Sequence, residues 1–273
     1  ATSKKRSKIS KADDLMRYHL QHASLLFATP ENEHHFFGYY DKSPFDATNT
    51  LLLGHSVAMD PLRDYTTGDT AAINLWDLTR GTKRQLATTN AFNFQQGSML
   101  RWLGPDHASR IIYNDHRDGH YVSIVLDILT GREDIMPFPV YSVSGDGRHA
   151  VCANYERLYW CRPAYNYAHP GAARWNRPIS ADDGIFLLDL ATKECSLIIS
   201  TEKMTTIRPI ASMFHGDNYL EHLHFSPDGE KFFFLHRWRT SDSGMLTRAY
   251  VANRDGSGIN LLSDSGDISH YNW

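Results

Sequence analysis

The sequence predicts an all-β fold, a β-propeller of four-stranded antiparallel blades. Three observations predict it: a strand–Asp/Asn–turn–strand segment that recurs four times, a Pro/Asp/Gly hairpin ahead of each recurrence, and an aromatic content of 12%. The first segment type runs over 73–86, 123–135, 185–197 and 249–261, with Asp77, Asp127, Asp189 and Asn253 at its turn. Those turn positions lie 50, 62 and 64 residues apart, somewhat more than the ~40–50 of an ordinary blade. The second type is clearest over 224–235, where Ser-Pro-Asp-Gly separates two aromatic runs. Its other copies are 43–53, 102–112 and 143–151. Proline presets φ and glycine accepts a positive φ, so such a stretch reverses the chain between strands. Two hairpins per repeat make one blade.

The repeat divides the chain into units near 30–89, 90–139, 140–201 and 202–266. Residues 267–273 read as the opening strand of a fifth unit. Four and a fraction blades rarely close a ring, so the expectation is that the complete protein continues, to a seven-bladed ring, or that a partner segment completes it. The propeller thus occupies 30–273. Residues 1–29 differ: 1–11 form a basic tail, and 12–27 carry a weak helical pattern through Leu15, Leu20, Leu25 and Leu26.

Composition narrows the function. The net charge of −3 argues against nucleic acid or a membrane surface as the main partner. No apolar run reaches the ~18–20 residues of a membrane span. The chain opens on Ala1 with no signal peptide, which leaves room for a processed N-terminus. Three cysteines (Cys152, Cys161 and Cys195) do not make a disulfide scaffold. Aromatics in this number suit sheet packing first, and stacking against sugar rings is the other reading.

Fifteen histidines are many, and they gather at strand starts and loops. In a propeller the start of each innermost strand faces the central channel, so side chains there converge from several blades. His34 and His35 open the first unit, His55 ends its second strand, and His116 and His120 sit in a polar loop. His222 and His224 are i, i+2 on one strand, which predicts that both face one way, as two ligands of one metal would. Glu221, His236, Asp217 or His270 could complete the set; a hydrogen-bonded histidine pair is the structural alternative. Imidazole suits zinc, manganese less so. The third unit begins like a strand at Asn154 and then carries a long aromatic, basic insertion to Pro178. There Arg157 and Arg162 can grip a carboxylate bidentately, and Tyr155, Tyr165 and Tyr167 can stack on sugars.

Four blocks carry a family resemblance: 35–45 (HFFGYYDKSPF), 157–167 (RLYWCRPAYNY), 222–229 (HLHFSPDG) with His236-Arg-Trp238, and 269–273 (SHYNW). They resemble a group of bacterial propeller proteins of glycan metabolism, related to the oligogalacturonate lyases and the propeller-type ulvan lyases. The resemblance implies β-elimination in a uronic-acid polysaccharide, ulvan-like or pectin-like. It implies His35 and His55 as a catalytic histidine pair, with Tyr141 and Arg157 as the catalytic tyrosine and arginine. His116, Arg162, Tyr165 and Tyr167 then line the substrate. The His-x-His at His222 and His224 matches a metal-binding pair for zinc, manganese or calcium, although Tyr219 stands where that pattern has glutamine. The implied protein is a secreted or periplasmic monomer. The competing readings are a non-catalytic glycan-binding or assembly propeller, and a hydrolase, which would want two opposed carboxylates that no motif supplies.

Overall fold

The computed structural model describes residues 27–29, 33–60, 63, 68–168, 177–241 and 244–273. The basic tail and nearly all of the expected helix over 12–27 lie outside the described residues. Four antiparallel sheets follow one another, each of four strands in chain order. The first holds β1 (His34–Phe36), β2 (Leu51–Val57), β3 (Ala71–Asp77) and β4 (Thr82–Thr89). The second holds β5 (Arg101–Trp102), β6 (Arg110–Arg117), β7 (His120–Asp127) and β8 (Glu133–Met136). The third holds β9 (Val140–Val143), β10 (His149–Ala153), β11 (Gly184–Asp189) and β12 (Cys195–Ser200). The fourth holds β13 (Asp217–Phe225), β14 (Lys231–Thr240), β15 (Gly244–Asn253) and β16 (Asn260–Gly266). Each sheet lies inside one repeat unit, and the architecture is that of a β-propeller.

The repeated turn residues act locally. The Asp77 carboxylate accepts the backbone N–H groups of Thr79 and Arg80 and closes the β3–β4 turn. Asp127 does the same for Leu129 and Thr130, and Asp189 for Ala191 and Thr192. A short carboxylate that captures two N–H groups replaces the ladder partners a turn lacks, so one residue type recurs there. The second hairpin type has its own device. Ser226 Oγ donates to Asp228 while Gly229 takes φ 71°; Ser144, Asp146 and Gly147 repeat the arrangement.

The core lies between the sheets. One cluster joins the first two sheets through Leu53, Ile73, Leu100, Ile111, Tyr113 and Ile124. A larger one joins the second, third and fourth through residues such as Ile112, Val125, Val151, Ile185, Leu220 and Phe232. Burying each such side chain contributes about 1.5–3 kcal/mol. The first strands of the sheets approach a common centre. Arg101 donates to the Val143 carbonyl, the Phe225 N–H donates to Ser142 Oγ, and the Trp102 indole donates to the Pro44 carbonyl. Residues 267–273 form no ladder; Tyr271 stacks on Phe233 and bonds Tyr40.

Two local features differ from the sequence reading. The segment after Asn154 begins a helix, Tyr155–Cys161, rather than a strand, because the Asn154 side chain accepts the N–H groups of Glu156 and Arg157 and caps it. And β13 is not regular. Its pairing to β14 slips between Glu221 and His224, and His222 takes φ 57°. That is a β-bulge with a left-handed residue in its first position, where glycine is the usual occupant.

Candidate functional site at the mouth of the channel

The bulge puts the chemistry of β13 where it is. Glu221 is fully buried, with the Arg237 guanidinium bonded to it, Arg162 at 3.5 Å and His222 Nδ1 at 3.6 Å. Burial pushes the Glu221 pKa up, but His222, Arg237 and Arg162 outweigh it and hold the carboxyl at about 2. On its other side, His222 Nε2 makes a 2.7 Å hydrogen bond with the Tyr39 hydroxyl, which arrives from the segment after β1. The Tyr165 ring lies parallel to the His222 ring at 6.2 Å. The Arg162 guanidinium sits 4.0 Å from the Tyr165 ring centre. Behind this layer, the buried Tyr141 hydroxyl accepts from Gln96 at 3.0 Å.

These groups surround an open cleft of about 230 Å³ lined by Gln95, Arg162, Tyr165, His222, Arg237 and His270, with Asp267 at its exposed rim. Burial raises the pKa of Tyr165, while hydrogen bonding from Tyr39, the Arg162 charge and Gln96 oppose it. The Tyr39 hydroxyl is pushed well up, chiefly by burial. Both phenols are therefore protonated at rest. The cleft thus combines a guanidinium open to solvent, a phenol at its wall, and a Tyr–His–Glu chain behind that phenol.

The structure brings Arg162, Tyr165 and His222 to this mouth, with Tyr141 buried behind them. The other sequence candidates are elsewhere, each for a physical reason. His55 is fully buried: it stacks on Phe36, bonds Ser98, and presses on Gly97, where a side chain would strike its ring. Burial lowers its pKa to about 4, so it is a neutral packing residue. His35 packs edge-on against Trp76, beside Glu33. Arg157 is buried and committed: it pairs with Asp183 and donates to the carbonyls of Arg177 and Asn218. It does not line the cleft. Tyr167 is buried, stacked on Tyr155 at 4.2 Å, and accepts from Asn114. His116 packs on Tyr121 of the second sheet.

The expectation that His222 and His224 face one way is corrected by the bulge. The slip inverts alternation, so His222 lines the mouth and His224 lines a separate cleft with Asp41 and Arg101. Among the described residues no group of three or more His, Cys, Asp or Glu side chains could hold a metal ion. His222 is moreover taken up by Tyr39 and Glu221. The donor set does not fit a divalent cation.

Sequence reasoning gave no role to Tyr39 or Arg237, and offered Glu221 only as a metal ligand. The signal was present: Glu221 and Arg237 are opposite charges in the middle of two neighbouring apolar strands. Charges so placed are rarely buried unless paired.

No protein-family model matches the chain, and no curated protein matches it. Solved structures do. An oligogalacturonate lyase in complex with manganese aligns with a TM-score of 0.54 at 17% identity, over 86% of this chain and 55% of that one. Oligogalacturonate lyase from Vibrio parahaemolyticus aligns at 0.53 and 14%, over 86% and 55%. TolB from Acinetobacter baumannii aligns at 0.48 and 13%, over 85% and 44%. The chain spans about half the length of these structures. At such identities the likeness shows the fold, a β-propeller. No helix among the described residues is long and apolar enough to cross a membrane.

Proposed function

We propose that the mouth cleft binds a uronic-acid unit of an acidic polysaccharide, ulvan-like or pectin-like, and cleaves the chain there by β-elimination. The observation that carries this reading is the placement of Arg162 beside Tyr165, with Tyr39, His222 and Glu221 in line behind. The Arg162 guanidinium pairs with the uronate carboxylate, which draws charge from C5 and acidifies its hydrogen. Tyr165 takes the C5 proton as its own proton passes to Tyr39 and on to His222 Nε2, with Glu221 orienting the imidazole. The C5–H electron pair becomes the C4=C5 double bond, and the C4–O4 bond breaks. The stored proton returns along the same line to O4, so the protein ends as it began. His222 is held at a positive φ that costs about 1–3 kcal/mol, the kind of strain that clusters at functional sites. No step needs a metal. The polymeric substrate makes a secreted or periplasmic protein acting as a monomer the matching setting.

The test is incubation with pectate, glucuronan and ulvan oligomers, read by the ultraviolet absorbance of the conjugated product. Tyr165→Phe and Arg162→Ala should each lower the rate ~10²–10⁴-fold with folding intact. Oligomers that bind at the mouth and are never converted would instead select the glycan-binding propeller.

A further inference from the structure

A second cleft, of about 210 Å³, lies at the centre where the first strands meet. Its wall takes one residue from each sheet or the segment beside it: Asp41, Arg101, Ser142 and His224, with Trp273 against them. The charges do not balance. Lys42 closes on Asp41 with two bonds of 2.8 and 2.9 Å, and the two side chains are 2% and 7% exposed. That pair is complete. Arg101 is left over. Its Nη1 donates to the Val143 carbonyl at 3.1 Å, and among the described residues no carboxylate comes within ion-pair distance.

The neighbouring polar groups are donors in waiting. Ser142 Oγ accepts the Phe225 N–H at 3.2 Å, which leaves its hydroxyl proton free to point elsewhere. His224 Nδ1 is buried without a partner. Burial lowers the His224 pKa; Asp41 opposes it, and Lys42 and Arg101 add to it, which favours a neutral ring with one N–H to give. Burial and Asp41 act in opposite directions on Arg101, and burial wins. Arg101 is half-buried and lines the cleft, so an anion there would give it the charged partner it lacks.

We propose that this cleft is a binding site for a small oxyanion, a carboxylate or a phosphate-like ion, held by Arg101, Ser142 and His224. What suits it to an anionic group is its lining, with Arg101, Ser142 and His224 converging from three sheets, and its volume has room for such a group with bound water. The site is independent of the mouth: none of its residues serves the Arg162–Tyr165 chemistry.

The test is thermal unfolding of the whole chain in acetate, inorganic phosphate or galacturonate, each against sodium chloride at equal ionic strength. The expected result is a saturable rise of several degrees with acetate or phosphate, kept in Arg162→Ala and lost in Arg101→Met. Arg101→Lys should keep a smaller rise at higher ligand concentration. In chloride alone Arg101→Met should be at least as stable as the wild type, since it removes an unpaired charge. A galacturonate response equal to that of acetate identifies a sugar-borne carboxylate as the occupant; a response to acetate or phosphate alone identifies a free ion. An equal rise in Arg101→Met, a rise reproduced by chloride, or an Arg101→Met protein that is less stable or unfolded in chloride would each overturn the proposal.

Discussion

Arg157 and Arg162 stand five residues apart at the two ends of one short helix, and they have opposite fates. Arg157 points into the protein, where Asp183 takes its Nε and two carbonyls take its Nη1. Arg162 leaves the helix at its C-cap, lies across the Tyr165 ring and keeps its side chain 35% exposed. The difference teaches that a residue type suited to a substrate carboxylate is equally suited to a buried one. Position relative to a partner decides which role it takes. The same division separates His55, sealed against Phe36 and Gly97, from His222, which lines the cleft.

The largest effect should come from the anchored arginine. Arg157→Ala leaves Asp183 buried without its cation, which costs about 3–5 kcal/mol and lowers the melting temperature by about 10 °C. A loss under about 1 kcal/mol would mean that Arg157 is not the anchor described here. Acid should come next. Burial lowers His55 to about 4 and His236 to about 3, both from 6.5. Each therefore contributes stability that is complete above pH 6.5 and declines as pH falls towards its folded value, because the unfolded chain takes up the proton first. Two such groups give a slope of roughly 2.7 kcal/mol per pH unit between about pH 6 and 4.5, measurable by urea unfolding. Glu221, depressed from 4.5 to about 2, adds its loss only below pH 4.5.

Smaller in stability, and opposite in kind, is Arg162→Ala. Removing this half-open side chain should change stability by no more than about 1 kcal/mol while removing most glycan binding, as titration with galacturonate oligomers would show. A large loss of stability would erase the contrast with Arg157. The smallest effect is expected at His116, which packs on Tyr121 away from the mouth: His116→Asn should leave glycan binding within about twofold.

The blades were legible because their instructions are short-range. Asp77, Asp127 and Asp189 close turns with N–H groups two and three residues on, so spacing alone reveals them. The site was less legible because its logic is long-range. Arg157 finds Asp183 across 26 residues, and Tyr39 finds His222 across 183. Arg162 and Tyr165 could be selected by residue type, whereas Tyr141 came from the resemblance. Tyr167, selected by type, and His35 and His55, implied by the resemblance as a catalytic pair, lie in packing. The bulge did leave a trace. Leu220, Leu223 and Phe225 fall in one core cluster with spacings of three and then two, where an unbroken strand repeats every two.

That bulge also governs what can be carried between related proteins. Parity along β13 changes sign between Glu221 and His224, so letters on either side belong to different reading frames of the same strand. A His-x-His aligned to His222 and His224 is equivalent in space only if its strand carries the same extra residue. Otherwise, with the second imidazoles superposed opposite Phe233, the first imidazole of an unbulged strand falls opposite Leu235, at the place of Glu221, however well the letters match. For propellers of this kind, the place to count residues is the inner strand, and the unit to transfer is the bulge rather than the motif.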